Sequence, residues 1–196
     1  RAKELLAATT TEGHLFEHAL AVSACMGAMA RHFGADEAYW QAVGYLHDYD
    51  FEQFPDEHLR HTEQPLRDAG VDEESIRAIL AHGYGLVTDV EPVPDMEKSI
   101  YTVDELSGLI AAAARVHPAG IAELKPSSVR KKFKDKRFAA KIDRAVIQDG
   151  CDRLGMELSD VIALCIEGMK PFAAELGIGP RACPAETILQ FYTYDF

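Results

Sequence analysis

His47 and Asp48 close an apolar run, Val43-Gly44-Tyr45-Leu46, where a helix is expected to turn its polar side chains outward. Neighbouring helical residues point about 100° apart. At a fraying last turn, however, an imidazole and a carboxylate can converge on one ion beyond the helix end. That pair of donors suits Fe, Mn, Co, Ni or Zn. A doublet alone fits an exposed, polar helix C-terminus better. Two other residues bear on the choice. His18 lies beside the apolar stripe of an earlier helix, one turn after His14 and one before Val22, so its ring faces either a cleft or a hydrogen-bonding partner in the core. Asp104 sits between Val103 and Ser107, one turn after Ile100, on a face that otherwise packs. Removing an unpaired carboxylate from water costs on the order of several kcal/mol. Asp104 therefore needs a metal, a cluster of donors, or a salt bridge such as one to Arg115.

Taken together, "EHALAV", "GYLHDYD" and "VDELSGLI" resemble the HD superfamily of metal-dependent phosphohydrolases. Its signature is a His on one helix, a His-Asp doublet on the next and a distant Asp on a later one. The match runs through roughly residues 10 to 115. The resemblance implies that His18, His47, Asp48 and Asp104 ligate a divalent metal, which would polarise a phosphoryl oxygen and lower the pKa of a bound water. Some branches add histidines between the doublet and the last Asp to hold a second metal. His58 and His82 are the candidates here, with His61 competing for the place of His58. Another branch uses a pair of irons for oxygen-dependent cleavage of carbon bonds. A sensor that keeps the metal without turnover is a third possibility.

Asp50 and Glu52 follow the doublet. Either they form a solvated acidic loop, or one of them joins Asp48 in catalysis as a general base. The run Arg130-Lys131-Lys132-Phe133-Lys134-Asp135-Lys136-Arg137 is the only dense basic patch. It reads either as a solvated face or, folded over the cleft, as a phosphate clamp using Lys131, Lys132, Lys134 and Arg137. GxSxG, Walker-type GxxxxGK[ST], GxGxxG and HExxH patterns do not occur.

Helices must position these groups. Apolar residues recur at three- and four-residue spacing from Thr11 to Phe33, with Thr11 as N-cap and Gly34 as stop. Asp36 caps a second helix through Trp40 and Leu46 to the doublet, and Asp72 caps one that ends at His82. A segment from Glu57 to Ala69 is expected between them. Gly83 to Asp95 reads as a loop that covers or lines a site. A helix from near Met96 carries Asp104 and ends before Pro118. Further segments are expected at Ser127 to Phe133, Arg137 to Leu154 and Ser159 to Leu176, the last bent at Pro171. Strand-like alternation is nearly absent, which predicts an all-α, single-domain helical bundle over residues 1–179, with the metal site between central helices. Residues 180–196, with Phe191, Tyr192, Tyr194 and Phe196, form a tail of undetermined role.

The 196 residues, 47% of them hydrophobic, bury enough core for a domain that needs no metal or disulfide staple, so a metal would be functional. A net charge of -12 argues against long nucleic acids and membrane surfaces as partners. A small phosphorylated molecule remains compatible, because a local cationic pocket outweighs the global field at short range. Cys25, Cys151, Cys165 and Cys183 are scattered without a CxxC pair, as expected of buried thiols in a reducing compartment. No run approaches the roughly 20 apolar residues of a membrane span, and the expectation is a cytoplasmic protein.

Overall fold

The structure, a computed structural model, describes residues 1–180; the expected aromatic tail and Cys183 fall almost entirely outside them. The described residues form helices joined by turns, with no strand beyond an isolated Tyr84–Thr88 bridge. In chain order the helices are α1 (Ala2–Ala7), α2 (Gly13–Phe33), α3 (Glu37–Leu46), α4 (Glu63–Asp68), α5 (Glu73–Ala81), α6 (Asp95–Val116), α7 (Pro126–Lys134), α8 (Arg144–Leu154) and α9 (Leu158–Met169). None of them is long and apolar enough to cross a membrane.

Two long helices make the centre. α2 packs against α3, α6 and α9, and α6 also receives α5, α7 and α8. Surrounded in this way, both are buried well beyond a single stripe: α2 buries every residue from Ala21 to Ala30, and α6 buries Ser99, Thr102 and Ser107 with its apolar residues. Gly34 ends α2 at φ 68°, a conformation that strains any residue with a Cβ. α3 then turns back with Asp36 accepting the Tyr39 N–H as its cap, and Asp72 caps α5 through Ser75 in the same way. Close approach of α3 to α2 requires Gly44: an added Cβ would stand 3.0 Å from Ser23 Cα and 3.1 Å from Ser23 N. Cys25, Cys151 and Cys165 are buried free thiols, as expected.

Several boundaries depart from the sequence expectation, each for a local reason. α2 starts at Gly13 behind Glu12 rather than Thr11, because Thr11 bonds instead to the Glu52 carboxylate through N–H and hydroxyl. The expected helix over 57–69 shrinks to α4. Asp50 takes the N–H groups of Leu59 and His61, and Leu59 adopts φ 68°, which no helix tolerates. The segment expected from Arg137 stays irregular until Asp143 caps α8 through the N–H groups of Ala145 and Val146. The Arg144 guanidinium gathers the carbonyls of Phe133, Asp135, Phe138, Ala139 and Ile142, which supplies the loop's acceptors without a helix. α9 begins at Leu158 and stops at Met169, where Pro171 forces a 3-10 turn. α1 carries too few periodic positions to stand out in the sequence.

Gly44→Ala is expected to lower stability by about 1–3 kcal/mol, seen as a fall of several degrees in Tm, because the Ser23 backbone cannot yield. Gly27→Ala, which meets the flexible Gln41 side chain, should cost less in the same melt.

Candidate metal centre

Four helical segments meet beside the middle of α6. α2 supplies His18, the end of α3 supplies His47 and Asp48, the end of α5 supplies His82, and α6 supplies Asp104. His58 enters from the irregular stretch after the doublet. His18 Nε2 lies 3.0 Å from Asp104 Oδ1 and 3.6 Å from Asp48 Oδ2, and His47 Nε2 is 3.3 Å from both carboxylates. On the other side of Asp48, Oδ1 is 3.3 Å from His58 Nε2 and 3.7 Å from His82 Nε2. Asp48 is thus shared, one oxygen toward His18 and His47, the other toward His58 and His82.

The surroundings aim the donor atoms. His47 Nδ1–H donates to the Gly44 carbonyl at 2.8 Å, and His82 Nδ1–H to the Ile79 carbonyl at 2.6 Å. A carbonyl only accepts, so these bonds fix the Nδ1–H tautomer of each neutral ring and turn Nε2 inward. His58 Nδ1–H donates to Asp50 Oδ1 at 2.8 Å. The Nε2 atoms of His18 and His47 then face each other at 3.1 Å, and those of His58 and His82 at 3.2 Å. Paired imidazole lone pairs at such distances need a cation between or beside them. His18, His47 and Asp104 form one group able to hold a metal ion, and His47, Asp48 and His82 another. Imidazole nitrogens and carboxylate oxygens in these numbers fit borderline divalent metals.

In the metal-free protein, protons supply the missing positive charge. Burial disfavours a charged His47, but the adjacent Asp48 and Asp104 outweigh it and raise its pKa well above the ordinary range. His58 follows the same balance, burial opposed by Asp48 and Asp50, and is raised to about 9. His82 is pushed down to about 4 by burial and then by the His47 charge, so it stays neutral. Burial would raise both carboxyls, yet His47, His58 and His18 hold Asp48 low, and His18 and His47 hold Asp104 low.

A model of the HD domain matches residues 15–145, which is well over half of the chain and includes all six of these residues. The chain belongs to the HD domain family. Comparisons with curated proteins and with solved structures find no match. HD domains bind divalent metals and are mostly metal-dependent hydrolases, and this HD domain carries a His/Asp group suited to that role.

The remaining sequence candidates fall in other places. Asp50, expected as a base beside Asp48, is 1% exposed and fully engaged behind His58: Oδ1 accepts from His58 and the Leu59 N–H, and Oδ2 from the His61 N–H. Burial would raise its carboxyl, but these bonds lower it. It holds the candidate ligand His58 through Nδ1. Glu52 accepts the N–H groups of Thr11 and Glu12 at the start of α2, and its carboxyl is held low by these bonds. It is not among the residues that line the cleft over the cluster. His61 pairs with Glu57 and stacks on Phe54, and it is His58 whose Nε2 reaches Asp48 and His82. Lys131, Lys132, Lys134 and Arg137 are not among the residues that line the cleft over the cluster. The Lys132 ammonium lies over the Phe138 ring and Arg137 pairs with Asp135, because the loop gathered by Arg144 brings only Ile142 to the cleft.

Glu105 was not singled out by sequence. It lines the cleft beside Asp104 and accepts the Asp143 N–H at 2.9 Å. Its position next to a candidate ligand is the one signal the sequence offers; the contact with Asp143 comes from a segment 38 residues away.

Asp50→Asn turns an amide N–H toward a backbone N–H. It is expected to weaken metal binding about 10–100-fold; metal analysis after dialysis would read less metal retained than in the parent protein. The pH dependence has a definite sign. Protonated His58 stabilises the metal-free fold below its unfolded pKa near 6.5, and this is lost as pH rises through about 9. Metal must displace that proton, so affinity should rise over the same window, by up to about tenfold per pH unit for each proton released. Metal titrations with proton-release measurement at pH 6, 7 and 8 check it.

Proposed function

We propose that this HD-domain chain is a metal-dependent phosphohydrolase acting on a small phosphorylated molecule, with its metals held by His18, His47, Asp48, His58, His82 and Asp104. The observation that carries this reading is the division of Asp48, whose two oxygens each face a separate pair of imidazoles beneath an open cleft. Two ions held in this way would polarise a phosphoryl oxygen and lower the pKa of water.

The chain's own residues do the rest. Asp50, Gly44 and Ile79 hold the imidazole rings so that Nε2 points inward, and such preorganisation removes a reorganisation cost from the reaction itself. Glu105 is the carboxylate in the cleft wall that stands outside the six-residue cluster. We assign it the proton transfer that sequence alone offered to Asp50 or Glu52. The same six donors also suit a pair of irons, and the cleft wall includes no Lys or Arg, which favours oxygen-dependent cleavage of an organic substrate as the second reading.

The full chain, loaded in turn with manganese, cobalt, nickel, zinc and iron, should release phosphate from at least one member of a broad panel of phosphorylated molecules. His18→Ala and Asp104→Ala should reduce that activity to background together with metal content. Glu105→Gln should keep the metals and lower kcat about 10²–10⁴-fold. A folded, metal-loaded protein that releases no phosphate, but consumes oxygen with two irons bound, would replace the first reading with the second.

A further inference from the structure

The cleft over the metal cluster has a wall of unusual composition for a phosphate site. Leu15 from α2, Phe51 after the doublet, Leu86 and Val87 from the loop after α5, and Ile142 from the Arg144-held loop surround the ligands. Six large hydrophobic side chains stand exposed among the described residues, and three of them, Phe51, Leu86 and Val87, line this one cleft. Leu86 is 64% exposed. Leaving such groups in water is unfavourable in proportion to their apolar area.

These side chains are held in place rather than loosely exposed. The N–H groups of Leu86, Val87 and Thr88 all converge on the Gly83 carbonyl, Gly85 N–H returns to Thr88 O, and the Thr88 hydroxyl is tied to Leu80 O. A Cβ on Gly83 would collide with Val87 and Leu59, so the loop is packed down with Leu86 left at its tip. Phe51 meets the ligand His58 edge to face at 5.2 Å. Apolar surface therefore begins in contact with the metal ligands. The charged groups in the same wall, apart from histidines, are Asp48, Asp104 and Glu105. Beyond the metals, the wall's one histidine outside the cluster, His14, lies beside the Glu12 carboxylate at 3.9 Å, and Glu105 repels a second anionic group.

We propose that the substrate carries a single phosphoryl group, placed on the metals, joined to an uncharged apolar or aromatic alcohol that packs on Phe51, Leu86, Val87 and Ile142. This rests on the phosphohydrolase reading and narrows it: nucleoside di- and triphosphates and sugar bisphosphates are disfavoured. In the reaction, water oxygen bonds to phosphorus, the phosphorus–oxygen bond to the alcohol breaks, and the alcohol leaves with a proton. The cleft, about 460 Å³, is of small-molecule size.

Calorimetry on the metal-loaded full chain with three non-hydrolysable probes tests this. Benzylphosphonate should bind at least about tenfold tighter than methylphosphonate, and 2-carboxyethylphosphonate should bind no tighter than methylphosphonate. Leu86→Ala, at the exposed tip of its loop, should erode the benzyl preference while leaving metal content in place. Equal binding of benzyl and methyl probes, or tightest binding of the carboxylated one, overturns the proposal. In parallel, 1-naphthyl phosphate should be hydrolysed faster than glycerol phosphate. A benzyl preference without any phosphate release would overturn the hydrolytic reading while leaving recognition of the apolar body standing.

Discussion

Two carboxylates, Asp48 and Asp104, stand largely removed from water at the junction of four segments, and the local structure is arranged to compensate their charge. A buried carboxylate without a cation is strongly destabilising. Four imidazoles surround this pair, and their outer nitrogens are tied to Gly44, Ile79 and Asp50 where the structure shows such ties. Without metal, protons on His47 and His58 provide the positive charge. A site that already accommodates cations at those positions is preorganised for metal, and the exchange of protons for metal links occupancy to pH.

The fold serves this junction through stiffness. α2 and α6 are central helices of the domain, and each delivers one candidate ligand from its interior, where the backbone has little freedom. His47, Asp48 and His82 come instead from helix ends. At an end, adjacent side chains can converge and the last carbonyls remain available; Gly44 O and Ile79 O are such carbonyls, each three residues before the histidine it orients. His58 has no helix to hold it. Its support is the Asp50 carboxylate and the Leu59 backbone at positive φ, a strained conformation of the kind that persists where surrounding bonds over-determine it.

Much of the wall around the junction comes from segments that sequence periodicity cannot organise. The loop after α5 and the loop before α8 each bring apolar side chains to the cleft, the first through converging N–H groups on Gly83, the second through carbonyls gathered by Arg144. The basic run stays off the cleft: Lys131, Lys132 and Lys134 lie on α7, and Arg137 pairs with Asp135 within the loop that Arg144 gathers.

The sequence by itself determined the helical class, the core of α2, α3, α5 and α6, and the quartet of His18, His47, Asp48 and Asp104. Each of these follows from short-range rules: period 3.6, an Asp at the helix start, a glycine after the end, and a polar residue on a packing face. Tertiary structure alone decided that His58 rather than His61 joins the cluster, that Asp50 supports a ligand, that Glu52 holds the start of α2, that Glu105 faces the cleft and that Lys131, Lys132, Lys134 and Arg137 do not. Those outcomes depend on hydrogen bonds between residues in different segments, such as Asp50 with the Leu59 and His61 N–H groups, or Glu105 with Asp143. No local pattern encodes which distant donor a carboxylate will meet; only the packing of the chain brings them together.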